Sequence, residues 1–246
     1  AVISPETSPS RPNWPDITLE STNNAKLDLL GVAPGQSMQE AAETLSSLDG
    51  VEAVFETAKP LGEDMSAAHR ALGYQRVYLR RGGTEAITIA SWAPEGEVVG
   101  IMRRMVMTDR TLPFDRIVAA LTEKYDKPDF ITPEAELRGW NAARQSCYVM
   151  PFGLQALPRL VPLDGKATQP LHRRSPAYQI GMPDFPPSVA EMYSGCGEVL
   201  SYREERGASR GQSGFSLVLL DFDRLERARD ALSPKATADE DFEIEF

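Results

Sequence analysis

Two histidines and two cysteines are all this sequence offers of the side chains that most often ligate zinc or pair as nucleophile and base. His69, His172, Cys147 and Cys196 stand far apart, so no zinc-ligand spacing exists. Long apolar runs are missing too. Stretches such as Val218-Leu219-Leu220 fall far short of the roughly 20 residues a membrane-crossing helix needs. No glycine-rich phosphate loop with its lysine is present, and Gly195-Cys196-Gly197 is too short a pattern to substitute for one. The acidic C-terminus lacks the glycine-containing loop of an EF-hand. The sequence therefore implies no metal and no cofactor.

What is present describes a globular protein. Of 246 residues, 41% are hydrophobic and 25% charged, enough apolar surface for a core. The net charge of −10 repels phosphate backbones, which argues against nucleic-acid binding. Part of that excess is local, because residues 239–246 carry Asp239, Glu240, Asp241, Glu243 and Glu245 without one base.

Residues 1–15 hold four prolines and several hydroxyls, a linker composition. The chain begins at Ala1, which we read as the mature end left when a signal peptide is removed, and two cysteines suit an oxidising compartment. The organisation expected is a flexible proline-rich segment over 1–24 and an α+β domain over 25–146. A second α+β portion follows over 147–234, separate or continuous with the first, and then an acidic tail over 235–246.

Four segments carry helical patterns. Ser37 and Glu40 form a capping box ahead of Met38, Ala41, Ala42, Leu45 and Leu48, which share one face. A shorter helix is expected over 63–72. Pro113 suits the first turn of a third, striped by Phe114, Ile117, Val118, Leu121 and Tyr125 and closed by Pro128. The fourth runs over 223–232, with Asp223 and Glu226 as its expected capping pair, and stops before Pro234. Strands are predicted at 51–56, 75–80, 85–92, 97–107, 136–142, 198–203 and 214–221. Arg81-Gly82-Gly83-Thr84 and Ala93-Pro94-Glu95-Gly96 read as turns of an antiparallel meander. The fold class expected is α+β: antiparallel sheet with helices packed on one face, either one unit or two similar subdomains. Residues 27–50 and 98–126 share the order apolar strand, turn and helix.

Candidate sites are few. Eight prolines fall between Met150 and Pro187, and Cys147 and Cys196 bracket that stretch. A disulfide between them, closing the excursion, is expected, against the alternative of two unrelated buried thiols. As a nucleophile Cys147 needs a base, yet His69 reads as packed on a short helix and His172 lies in the irregular stretch. Ser213 stands in Gly-Gln-Ser-Gly-Phe, which departs from the nucleophile elbow and precedes a strand, so a turn is expected. Met102, Met105 and Met107 alternate along a strand and cannot converge on copper. Arg203, Arg206 and Arg210 form a small basic hairpin tip suited to an acidic partner. Phe242, Ile244 and Phe246 alternate with acids, a strand pattern able to extend a sheet edge, its own or a partner's.

Gly31-Val32-Ala33-Pro34-Gly35-Gln36-Ser37-Met38-Gln39-Glu40-Ala41 resembles the opening of small envelope lipoproteins of the outer-membrane assembly type. The likeness covers only that turn and helix, and no residue role is carried over. The function expected is that of an exported, periplasmic or secreted, non-catalytic binding or scaffold protein whose partner is another envelope protein. The competing expectation is a hydrolase or transferase whose carboxylate acid and base are joined only by folding.

Overall fold

The computed structural model describes residues 27–58, 72–107, 112–132, 137–141, 147, 161–162, 195–206 and 213–232; of residues 57, 58, 161, 162 and 206 it describes only the backbone. The expected helix over 63–72, apart from Leu72, and the sites Arg210, Phe242, Ile244 and Phe246 lie outside these residues, as do His69 and His172.

A helix, α1 (Met38–Ser46), opens the described fold. Its capping box is realised: Ser37 Oγ accepts from the Glu40 N–H at 3.2 Å, and Glu40 Oε2 accepts from the Ser37 N–H at 3.1 Å. The apolar strand expected ahead of it is instead a tight turn. Leu29 and Val32 exchange two backbone hydrogen bonds around Leu30 and Gly31, both in the left-handed region at φ 60° and 80°.

Four strands follow as a meander: β1 (Val51–Ala58), β2 (Tyr74–Arg80), β3 (Glu85–Ser91) and β4 (Gly100–Met107). The β2–β3 turn places Arg81, Gly82 and Gly83 successively at positive φ, a run that two glycines make accessible. Next come α2 (Phe114–Tyr125), β5 (Phe130–Ile131), β6 (Leu137–Trp140), β7 (Val161–Pro162), β8 (Glu198–Arg206), β9 (Ser213–Asp221) and α3 (Phe222–Leu232). All nine described strands join one antiparallel sheet in the order β5-β6-β8-β9-β4-β3-β2-β1-β7. Because β4 pairs with β9, the parts of the chain before and after residue 147 share that sheet.

Helices on a single face do not describe this arrangement. Every residue of β3 and of β9 is buried, so the central strands are covered on both sides. Met38, Ala41 and Leu45 of α1 and Leu121 of α2 pack with Tyr78, Ile87, Ile101, Leu217 and Leu219. Leu225, Ala228 and Leu232 of α3 pack on the other side with Val77, Met102, Val199, Val218 and Leu220. The physical reason was written in β9, whose Leu217 to Leu220 are apolar without alternation.

Two boundaries moved. The strand expected from 97 starts at Gly100, because Val98 bonds through its N–H and its carbonyl to Gln36 and Gly35. The cap of α3 is Asp221, whose Oδ1 accepts from the Arg224 N–H at 2.9 Å, rather than Asp223 with Glu226.

Candidate functional site

The register of the sheet lines residues up in rows across its strands, and the arginines fall at one end. Arg138, Tyr202, Leu217, Arg103, Ile87 and Tyr78 form one row. The next reads Leu137, Arg203, Ser216, Arg104, Ala86 and Leu79. Beyond it lie Glu204, Phe215, Met105, Glu85 and Arg80, and then Glu205 and Arg206. With Arg81 in the adjoining turn and Glu52 in β1, six arginines whose side chains are described meet Glu52, Glu85, Glu204, Glu205 and the neighbouring Asp49 there. The opposite end has the reverse sign, since Arg76 is its one strand cation against Glu56, Glu198 and Asp221.

Within the basic end Glu85 and Glu204 are buried against their arginines, Glu205 is half-buried and Glu52 is exposed. Glu85 is wholly buried, with Arg103 Nε at 2.7 Å and Arg80 Nη1 and Arg81 Nε each at 3.3 Å. Arg81 is 57% exposed. Arg80 also donates through Nε and Nη2 to the Asp49 carbonyl, tying the sheet to the end of α1. On the other face Glu205 accepts from Arg104 Nε and Nη2 at 3.1 and 2.6 Å and from Ser216 Oγ at 2.8 Å. Glu204 pairs with Arg138 at 3.2 Å, and the Arg138 guanidinium lies 5.7 Å from the centre of the Tyr202 ring.

A buried phenol, Tyr74, stands at the opposite end of β2. Tyr74 Oη donates to Glu56 Oε2 and accepts from Arg76 Nη2, each at 3.0 Å. Burial pushes the Tyr74 hydroxyl up to about 12, against the lowering pull of Arg76. Burial raises Tyr78 as well.

Of the residues singled out from sequence, Arg203 sits in β8 beside Ser216, and Arg206 ends the same strand. Arg80, Arg81, Arg103, Arg104 and Arg138 join them and were not anticipated. The only hint was a pair of Arg-Arg doublets: Arg80 and Arg81 meet on Glu85, while Arg103 and Arg104 point to opposite faces of β4. Ser213 begins β9 and its Oγ accepts from the Leu112 N–H at 2.8 Å, a structural contact; the connection between β8 and β9, where a turn is expected, lies outside the described residues. Met102 packs on one face of the sheet and Met105 and Met107 on the other.

No family model, curated protein or solved structure compared with this chain matches it.

Cys147 and Cys196 form a disulfide, buried in the core beneath α3 with Cα atoms 5.5 Å apart. The two ends of the intervening stretch are therefore held together. Among the described residues no group of three or more His, Cys, Asp or Glu side chains is placed to hold a metal. Among them, too, no helix is long and apolar enough to cross a membrane. Glu85 and Glu204 share a face, with their strands three spacings apart, about 14 Å between backbones, and each is paired with its own arginines.

Proposed function

We propose that this chain is an exported, non-catalytic binding or scaffold protein that meets an acidic partner through the arginine-rich end of its sheet. One observation carries the reading: a chain of net charge −10 gathers six strand and turn arginines from four separate parts of its sequence at one end of the sheet. Charge of one sign, held on a rigid sheet, steers a partner of the opposite sign and sets its register. The buried disulfide supports export, since such bonds persist in oxidising compartments. The paired state of Glu85, Glu204 and Glu205 favours binding over hydrolysis, because each carboxylate is already committed to an arginine.

The same reading covers the organisation of the chain. α1 precedes the meander β1 to β4, α2 precedes β5, β6, β8 and β9, and the last strands of the two sets pair antiparallel. We read these as two similar α-ββββ subdomains sharing one sheet.

Photo-crosslinking in cells of the natural source tests the function. A benzophenone amino acid at Arg81 should give a discrete protein adduct, and the same group at exposed Glu95, at the opposite end, should give none. Equal labelling from both positions, or recovery of the protein with two free thiols from a reducing compartment, overturns the reading.

A further inference from the structure

Glu52 stands at the arginine-rich end of the sheet, yet it forms no ion pair with any described residue. The register of β1 on β2 slips there: Val51 opposes Arg80 and Ala53 opposes Leu79, so Glu52 is the extra residue of a β-bulge. A bulge re-aims the side chain it carries. Here it brings the exposed Glu52 carboxylate to the Gly82 N–H, which donates to Oε1 at 2.7 Å. Arg81, Gly82 and Gly83 pass through the left-handed region at φ 55°, 66° and 76°. The turn closes on itself as the Gly83 and Thr84 N–H groups donate to the Arg80 and Arg81 carbonyls. The Gly82 N–H is spent on Glu52 instead.

The arginine next to that N–H is engaged at one atom. Arg81 is 57% exposed and meets Glu85 through Nε at 3.3 Å, while Arg80 and Arg103 hold the same buried carboxylate from within the sheet. The terminal nitrogens of Arg81 donate no hydrogen bond to any described residue. A Cβ added at Gly82 would meet nothing within 4 Å, so that side of the turn is open. An incoming carboxylate that takes the Gly82 N–H has the forked head of Arg81 beside it. Glu52 makes no such charge-assisted pair, and pairs of that kind are about twice as strong as neutral hydrogen bonds.

We propose that the Arg81–Thr84 turn receives one aspartate or glutamate side chain of the acidic partner, and that Glu52 holds that position in cis until the partner's carboxylate displaces it. This rests on the binding reading above and specifies its chemistry. Glu52 then sets the affinity: a site filled by its own acid about nine-tenths of the time binds about tenfold more weakly than an open one.

Titration of hexaglutamate into the full chain, followed by NMR at the Gly82 amide, tests the site. The peptide should move that resonance, and Glu52→Gln should bind it about tenfold tighter. Glu123→Gln, at an exposed acid of α2, makes the same change in net charge and should leave the affinity unaltered. Arg81→Asn, exposed and tolerant of positive φ, should lose the response at Gly82. A Gly82 amide unmoved by saturating peptide overturns the proposal, as does Glu52→Gln binding no tighter than the parent. Equal gains in Glu52→Gln and Glu123→Gln also overturn it, because bulk charge then accounts for both. A crosslinked adduct at Arg81 with an unmoved Gly82 amide sinks the displacement alone. Binding at Gly82 without any adduct in cells sinks the partner reading alone.

Discussion

Arg224, almost wholly buried in the first turn of α3, donates through Nη1 to the carboxylate of Glu97, 127 positions earlier in the chain. Its Nε also lies 3.4 Å from Asp221 Oδ2. The guanidinium packs on Gly35, where an added Cβ would come within 2.7 Å of Nη2. One side chain therefore fastens α3 to the turn that launches α1, although the two helices serve opposite faces of the sheet. Arg224→Met should cost about 3 kcal/mol, because it leaves Glu97 and Asp221 without their partner. Gly35→Ala should also destabilise, through its φ of +90° and the contact with Arg224. The two losses should be less than additive in the double variant, since the shortened head relieves that contact. Urea unfolding of the four proteins measures the cycle, and strict additivity would remove the contact from the account.

The disulfide between Cys147 and Cys196 closes a loop of sequence separation 49, worth about 4 kcal/mol in the chain-entropy picture. The variant Cys147→Ser, Cys196→Ser should unfold at a correspondingly lower urea midpoint. Reductant should have no effect on that variant, while the parent should move toward it once its buried bond is reduced during unfolding.

Alkaline stability should follow the buried phenols. The Tyr74 hydroxyl is held at about 12, above the ordinary 10.0, so the native state keeps a proton that the unfolded chain sheds. Stability is therefore complete below pH 10 and declines as pH rises through 12. Tyr74→Phe should flatten that decline, and phenolate absorbance in the native protein should rise late. A native titration of every tyrosine near 10 would show that the hydroxyl is not protected.

Across the β5–β6 pair the ring of Phe130 lies directly on Gly139, so close that a Cβ at 139 would fall 1.8 Å from Cε1. Gly139→Ala should displace the ring and cost about 1–3 kcal/mol. Because β5 has one described partner strand, the damage should be local, appearing as faster exchange at residues 129–132 with the central strands unchanged.

Much of the fold was legible because it depends on neighbours in sequence. The capping box at Ser37, the stripe of α2, the Arg81–Thr84 turn and the opposite facings of Met102 and Met105 are set by periodicity within a few residues. The two-residue strand β5 was not legible, since Phe130 and Ile131 are too few to show a period. Nor was the covering of both faces anticipated, although the unbroken Leu217–Leu220 run called for it.

By itself, then, the sequence determined the three described helices, the meander turns, the general α+β class and the pair of sulfurs available for a bridge. Only the tertiary structure decided that β4 would pair with β9, and that pairing is what brings Arg103 and Arg104 alongside Arg138 and Arg203. Local propensity fixes which way each side chain points along its own strand. Strand order and register fix which charges become neighbours, and they are settled by burial of apolar faces contributed from both halves of the chain.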